Sequence, residues 1–293
     1  MIQKIRKIVR NNRLIRKIIA YYLVPSGLFD KKILNLEIGD RFKYRTKEVL
    51  SCPDNAYIKR VDNAGVVNRG KQIMHNGLRI HLGSYYGPEV AQQLLANKGV
   101  HEPQEEYVFQ EVLKTIKPNS TMIELGSFWS FYSMWFNSSV SNAKNYMVEP
   151  DSFNLGCGKR NFKLNKMEGF FTQAYVGSKN FYSNGCQTIG IDDFCKENMI
   201  DFLHILHCDI QGFEYEMLLG AKQMILEDKI GYFFISTHSD EIHYRCLDHL
   251  KQNNYIIVAS ADLKQTFAED GLIVAKSKNF PGIENINISL KNG

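Results

Sequence analysis

The sequence predicts an α/β fold built on a mostly parallel sheet with helices on both faces, and three observations support this. Short apolar runs that read as strands alternate with helical segments from about residue 105 to residue 275. The chain is 44% hydrophobic and 23% charged over 293 residues, which is enough to bury a large core. No apolar run approaches the roughly 20 residues of a membrane-spanning helix.

Seven strands are predicted after residue 120. Each is a run of apolar residues bounded by turns, at residues 121–125, 146–148, 170–176, 202–206, 231–236, 255–258 and 271–275. Runs this short and apolar are typical of strands buried on both faces. Ligands of such sheets bind beyond the carboxyl ends of the strands, so the residues that follow each strand are the candidate site residues.

The first 29 residues form a separate basic segment. They hold seven lysines and arginines and no acidic residue, and basic side chains recur at the spacing of one helical face, at Arg6, Arg10, Arg13 and Lys17. This pattern predicts a basic amphipathic helix with two interpretations. Either residues 2–24 bind an anionic membrane surface, or the helix packs on its own domain or on a second copy of the chain in a homo-oligomer.

Residues 30–100 are predicted to form a lead-in with a β-hairpin, followed by the main domain at residues 101–293. The hairpin is predicted at residues 71–82, around the turn signal Asn76-Gly77. The six cysteines are scattered without a C-x-x-C pair, which favours reduced thiols and a cytoplasmic protein, peripheral at the inner face of the membrane if the basic helix binds lipid. After residue 29 the chain holds 29 basic and 31 acidic residues, so no nucleic-acid partner is expected.

The first two predicted strands end in residues that suit a nucleoside ligand. Glu124 closes the first strand, and Gly126 allows a tight turn that brings backbone amides near a ligand. A dinucleotide fingerprint needs further glycines where Phe128 and Ser130 stand, so a pyrophosphate would be poorly held. Glu149 closes the second strand, where a carboxylate accepts hydrogen bonds from ribose hydroxyls. A phosphate-free, adenosine-bearing cofactor fits best, and S-adenosylmethionine is the candidate.

Eight motifs carry a resemblance to a known family through their order and spacing. They are residues 122–133, 146–150, 191–194, 206–214, 218–221, 236–240, 254–255 and 270–275. With these motifs the chain resembles the FkbM-type family of S-adenosylmethionine-dependent O-methyltransferases over roughly residues 100–276. The resemblance implies a Rossmann-like class I methyltransferase sheet of seven strands, extended by the N-terminal helix and hairpin.

The resemblance also implies a set of residues around the cofactor. These residues are Glu124, Gly126, Ser127, Glu149, Pro150, Gln173, Ala174 and Asp209. The first three would contact the methionine moiety and Glu149 the ribose, while Gln173 and Ala174 would lie near adenine. Asp209 would face the transferred methyl group as a catalytic carboxylate or a metal ligand.

Methyl transfer to a hydroxyl needs an aligned oxygen and a group that takes the hydroxyl proton. His238 and His207 are candidate bases because both lie within or directly after strands that face the cofactor, and Asp209 is the third catalytic candidate. Asp209 and Asp240 are candidate ligands of a Mg²⁺ ion that would acidify the hydroxyl. The candidate substrate contacts are Glu102, Glu105, Tyr132 and Asp240.

The expected function is therefore transfer of a methyl group to a carbohydrate hydroxyl, on a polysaccharide or on a lipid-linked or nucleotide sugar. The carbohydrate acceptor is what the family resemblance implies. Two alternatives remain open at this point. One is a non-catalytic Rossmann-like binding module, and the other is a dinucleotide-dependent sugar oxidoreductase, which the missing G-x-G-x-x-G disfavours.

Overall fold

The computed structural model describes residue 12, residues 18 and 19, residues 23–183 and residues 185–291. The predicted basic helix, with its proposed membrane contact, lies mostly outside the described residues. Within the described part of the chain, no helix is long and apolar enough to cross a membrane. The chain divides into two compact units, Met1–Thr46 with Lys59–His101 and Lys47–Ile58 with Glu102–Gly293.

The first unit is small and contains a three-stranded antiparallel sheet. Its described elements are a 3-10 helix Val24–Ser26, α1 Asp30–Leu34, the start of α2 Asp40–Ser51, β1 Val67–Asn68, β2 Lys71–Ile73, β3 Arg79–His81 and α3 Pro88–Ala96. β2 and β3 form the hairpin that Asn76-Gly77 predicts, and Gly77 takes the left-handed φ of 88° that this turn needs. Val24, Leu82 and Ala91 form a small core cluster in this unit.

The second unit alternates strands and helices, as predicted. After the end of α2 and a 3-10 helix Pro53–Ala56, its described elements are α4 Pro103–Leu113, β4 Thr121–Leu125, α5 Phe131–Ser139, β5 Lys144–Val148, α6 Ser152–Leu164, β6 Phe170–Thr172, β7 Ala174–Val176, β8 Phe181–Ser183, β9 Cys186–Ile189, α7 Ile191–Glu197, β10 Leu203–Cys208, α8 Glu214–Gly220, α9 Lys222–Leu226, β11 Ile230–Thr237, α10 Asp240–Gln252, β12 Tyr255–Ala261 and β13 Gly271–Ser277.

A seven-stranded sheet forms the centre of this unit, in the order β12-β13-β11-β10-β4-β5-β6. The neighbouring strands from β11 to β6 pair in parallel, and β13 runs antiparallel to both of its neighbours. Every residue of β4, β11 and β13 is buried, which fits their mostly apolar sequences. The chain proceeds from β4 to β5 and β6 on one side and to β10 and β11 on the other, so the strand order reverses between β4 and β10.

The predicted third strand, residues 170–176, is wrong as a single element. Its first part is β6, which pairs with β5, and its second part is β7, which belongs to a separate three-stranded sheet with β9 and β8. The break falls at Gln173, one position past the pairing of Thr172 with Val148. Pro150 lies two residues after Val148 and has no amide hydrogen, so the ladder between β5 and β6 cannot continue.

Candidate functional site

Three neighbouring strands, β4, β5 and β10, end at the same edge of the seven-stranded sheet, here called the carboxyl edge. The Gly126 amide donates to the carbonyl of Val148 at 2.9 Å, and the Asp209 amide donates to the carbonyl of Leu125 at 2.9 Å. Gly126 has a φ of 72°, and a Cβ atom there would overlap the Asp209 carbonyl oxygen. Only glycine fits this turn, which therefore ties the three strand ends together.

The turn that follows Gly126 keeps an unusual backbone without further glycines. Phe128 has a φ of 32° and Ser130 a φ of 59°, both in the left-handed region that favours glycine. The hydroxyl of Ser127 is buried and has no hydrogen-bond partner among the described residues. The turn thus offers an unpaired polar atom, but it lacks the glycine-rich phosphate loop of dinucleotide-binding proteins.

Glu124 lies behind this turn, in the interior. Its carboxylate accepts a hydrogen bond from the Ser133 amide at 3.0 Å, which satisfies a donor in the first turn of α5. Burial raises the pKa of Glu124 to about 7, because water no longer stabilises the charged form. In this structure Glu124 orients the start of α5, and its predicted contact with the methionine moiety stays a prediction.

Glu149 connects the carboxyl edge to the next helix. One carboxylate oxygen accepts the Phe128 amide at 3.3 Å, and the other accepts the Asp151 amide at 2.9 Å. Burial raises the pKa of Glu149, and these two amides partly offset the rise. Beside it, the side chain of Gln173 donates to the carbonyl of Pro150 at 3.0 Å. Glu149, Pro150 and Gln173 are thus brought together, with Ala174 buried next in the chain.

His238 follows β11 and is surrounded by three carboxylates. Its Nδ1 lies 2.7 Å from Oε1 of Glu214, and its Nε2 lies 3.3 Å from Oδ1 of Asp209 and 3.5 Å from Oδ1 of Asp270. The Gln211 side-chain amide lies 2.7 Å from the same Nε2, and since a protonated Nε2 can only donate, the amide must present its oxygen there. Glu214 is fully buried and also accepts the Gly212 amide, so it fixes the imidazole against the loop after β10.

The protonation of His238 follows from this environment. Burial lowers its pKa, but hydrogen bonds to Asp209 and Glu214 and the charge of Asp270 outweigh burial and raise the pKa to about 10. The ring is therefore protonated at neutral pH. An imidazolium has no lone pair to accept a proton, so this protonation state does not suit a base, and the expected role of His238 as the base stays a prediction. The atoms of this cluster that can accept a proton are the carboxylate oxygens.

His207 belongs to a second, buried pair. Its Nε2 lies 2.7 Å from Oε1 of Glu105, and the other oxygen of Glu105 accepts the Ser236 hydroxyl at 3.2 Å. Burial lowers the pKa of His207, but the charge and hydrogen bond of Glu105, together with the charges of Glu124 and Asp209, outweigh burial and raise it, while burial raises the pKa of Glu105 itself. The pair holds a proton between two interior side chains.

Tyr132 covers this pair and is itself enclosed. Its ring stacks on His207 with centroids 4.2 Å apart and also contacts Phe109 and Phe131. Only 4% of Tyr132 is exposed, so it is a core residue in this structure, and its predicted contact with the substrate stays a prediction. His207 is likewise too enclosed to reach an acceptor.

Two of the other predicted contacts lie near a small cavity. Glu102 and Glu105 line it together with Ser236 and Asp270, and its volume is about 10 Å³. That is room for a single water molecule. Glu105 is thus a wall of a water-sized cavity and not a substrate contact in this structure.

The predicted metal pair does not form an evident metal site. Asp240 accepts the Leu263 amide at 3.3 Å, whereas Asp209 faces His238. Among the residues that the structure describes, no group of three or more His, Cys, Asp or Glu side chains could hold a metal ion. Mg²⁺ stays an unsupported prediction.

Sequence reasoning missed the partners of His238. Glu214 and Asp270 both stand inside the motifs at 206–214 and 270–275, but neither was assigned a role there. Glu214 follows the end of β10, and Asp270 directly precedes β13, so both lie at the carboxyl edge. That position is the signal that could have identified them.

Comparisons with known proteins give structural similarity only. No family model and no curated protein matches the chain. Similar solved structures include a precorrin-6y C5,15-methyltransferase from Geobacter metallireducens (TM-score 0.43, 13% identity, 59% of this chain and 87% of that one) and an rRNA methylase from Streptococcus thermophilus (0.43, 11%, 61% and 98%). A third is TrmK from M. capricolum in complex with S-adenosylhomocysteine (0.40, 14%, 62% and 71%).

The strand order and the antiparallel β13 define the Rossmann-like fold of class I methyltransferases, which confirms the predicted fold class. One expectation is corrected. Nucleic acid was excluded as a partner and a carbohydrate was expected as the acceptor, but an rRNA methylase is among the structures that resemble this chain. The exclusion and the carbohydrate acceptor are therefore withdrawn.

Proposed function

We propose that this chain is an S-adenosylmethionine-dependent methyltransferase that transfers a methyl group to an oxygen atom, and that it belongs to the FkbM-type family. One observation carries the proposal. The strand order reverses between β4 and β10, and the strands at that point and beside it are followed directly by Gly126, Glu149 and Asp209, without a phosphate-binding loop. An edge lined by carboxylates suits a ligand with ribose hydroxyls and positive charge better than one with phosphates.

The residues of the carboxyl edge fit an adenosine-bearing cofactor. Glu149 stands 6% exposed at the end of β5, and its two oxygens keep further lone pairs after accepting two amides. Ser127 supplies a buried hydroxyl that has no hydrogen-bond partner within the described part of the chain. When bound, S-adenosylmethionine would supply an activated methyl group at this edge. Glu149 and Ser127 would hold it, with Gln173 beside the end of β6.

Asp209 is the residue we assign to the acceptor proton. It lies at the reversal point, and a protonated His238 stands 3.3 Å from its Oδ1. The carboxyl groups of Asp209, Glu214 and Asp270 all surround this single imidazolium. His238 therefore holds the Asp209 carboxylate in place, and the Oδ atoms of Asp209 accept the proton as the acceptor oxygen attacks.

Calorimetric titration with S-adenosylmethionine, S-adenosylhomocysteine and NADH tests the cofactor. We expect micromolar binding of both sulfur nucleosides and none of NADH. Glu149→Gln should weaken the nucleosides at least tenfold, because a neutral amide accepts fewer hydroxyl hydrogen bonds than a carboxylate. Glu168→Gln is the matched control, since Glu168 is exposed before β6 and should leave affinity unchanged. Binding of NADH alone would overturn the proposal in favour of an oxidoreductase.

The type of transfer needs a second experiment. Protein is incubated with S-adenosylmethionine carrying an isotopic methyl group and with separate RNA, glycan and small-molecule fractions of a cell extract. Mass spectrometry of the labelled fraction then locates the methyl group. Label on an oxygen supports the assignment, and label on a carbon or nitrogen contradicts the O-methyl part while leaving the cofactor result intact.

A further inference from the structure

A groove with four lysines lies at the other edge of the seven-stranded sheet, where β5 and β6 begin. Its volume is about 780 Å³, which is in the range of ligand-binding pockets. Its lysines come from the start of β5, from α6 and from the connection to β6, and they are Lys144, Lys159, Lys163 and Lys166. Phe170 and Phe171 complete it, and we call it the lysine groove.

The lysine groove is a local concentration of positive charge in a body whose net charge is close to zero. All four lysines are exposed, and none forms an ion pair with another described residue. Glu168 is the single acidic residue among those that line the groove. Lys159 and Lys163 are also four residues apart on α6, where like charges repel. Cations left unneutralised in this arrangement attract a polyanion.

The groove also has an aromatic surface with one open side. The Phe170 ring stacks on Tyr146 with centroids 4.7 Å apart and planes 18° apart, and Tyr146 is only 7% exposed. Phe170 itself is 56% exposed. A ring held on one face and open to solvent elsewhere is the platform on which single-stranded nucleic acids stack their bases. The next residue of β6, Phe171, points to the opposite face of the sheet, where Lys159 lies 5.7 Å from its ring.

We propose that the lysine groove binds single-stranded nucleic acid, with phosphates at the lysines and a base on Phe170. A polyphosphate or a lipid headgroup would use the lysines but would leave the aromatic platform without a function. The groove lies where the parallel strands β5 and β6 begin, whereas Glu149 lies past the end of β5. The bound strand is therefore held away from the carboxyl edge, and this binding is independent of the proposed methyl transfer.

Fluorescence anisotropy with the full chain tests the proposal. The probes are labelled twelve-residue oligouridylate and oligothymidylate, titrated between 50 and 200 mM salt. We expect both to bind, with an affinity that falls steeply as salt rises. The double variant Lys163→Glu with Lys166→Glu should bind at least tenfold more weakly, and its salt slope should be smaller by about 1.4, which is about 0.7 for each phosphate contact removed. RNA bound better than DNA would indicate that the 2′-hydroxyl is also contacted.

Three matched variants separate this site from a general charge effect. Lys222→Glu with Lys251→Glu makes the same charge change on exposed residues of α9 and α10, and should bind like wild type. Lys163→Arg with Lys166→Arg keeps the charge and should also bind like wild type. Phe170→Ala keeps every lysine and should weaken the oligonucleotides about tenfold while leaving inorganic polyphosphate unaffected.

Two outcomes would overturn the proposal. Equal losses in the groove and control double variants would show that only net charge matters, including that of the basic N-terminal segment. Equal affinities of wild type and Phe170→Ala for the oligonucleotides, with polyphosphate or phosphatidylserine vesicles competing as well as RNA, would make the groove a general anion site. Circular dichroism of every variant establishes that the fold is retained.

Discussion

The two edges of the seven-stranded sheet carry opposite charge. At the carboxyl edge, Asp209, Glu214 and Asp270 surround a single protonated His238. At the opposite edge, where β5 and β6 begin, the lysine groove has four lysines and a single acidic residue in its lining. In sequence these groups cancel, and the body looks neutral. Folding separates them, because the parallel strands all begin at one end of the sheet and all finish at the opposite end. Average charge therefore says little about what each surface can bind.

The largest effect is expected from removing the proton acceptor at the carboxyl edge. Asp209→Asn should lower the rate of methyl transfer about a thousandfold, or about 4 kcal/mol in the barrier, because an amide cannot accept the hydroxyl proton. The measurement is single-turnover transfer of labelled methyl to the acceptor found above. Asp248→Asn, an exposed change on α10, should leave the rate unchanged. Equal rates for wild type and Asp209→Asn would remove Asp209 from the chemistry.

The next largest effect concerns the turn that joins the strand ends at the carboxyl edge. Gly126→Ala should reduce the free energy of unfolding by about 3 to 4 kcal/mol, because the added methyl group overlaps the Asp209 carbonyl and the φ of 72° is unfavourable for alanine. Gly185→Ala isolates the backbone cost alone, since Gly185 has a φ of 77° and open space around it. That control should lose about 1 kcal/mol in urea unfolding. Similar losses in both would contradict the close packing at Asp209.

Most strands and the residues that follow them could be predicted because short apolar runs are typical of strands buried on both faces of a sheet. Gly126, Glu149 and Asp209 follow such runs directly, so their edge was predictable. The partners of His238 were not, since Glu214 reaches it from the start of α8 and Asp270 from the residue before β13. His207 and Tyr132 were assigned to the site because sequence does not show which polar groups α4 and α5 cover. The lysine groove was missed because its cations come from three segments.

The pH dependence of stability is the third test, and it concerns the carboxyl edge. Glu124 has a pKa of about 7 in the folded chain and 4.5 as its ordinary value, so its contribution to stability is complete below pH 4.5 and lost as pH rises through 7. The loss is about 3 kcal/mol. Glu124→Gln should remove about this much of the difference in unfolding free energy between pH 4 and pH 8. Glu168→Gln should leave that difference as in wild type. If Glu124→Gln shows the same pH dependence as wild type, the raised pKa of the buried Glu124 carboxyl is contradicted.

The smallest effect is expected at the lysine groove and tests whether Phe170 belongs to the core. Phe170→Ala should reduce the free energy of unfolding by about 1 kcal/mol, because more than half of the ring is already exposed and mainly its contact with Tyr146 is lost. Phe162→Ala, on the buried side of the same groove, should lose about 3 to 5 kcal/mol because Phe162 is 2% exposed.

Chemical denaturation of both variants measures this contrast. A loss at Phe170 as large as that at Phe162 would make Phe170 a core residue and would explain its presence by packing alone. A small loss leaves a large exposed ring that stability does not require. A small loss of stability together with a tenfold loss of oligonucleotide binding in Phe170→Ala would assign Phe170 to binding. Packing would then account for Phe162 but not for the exposed ring of Phe170.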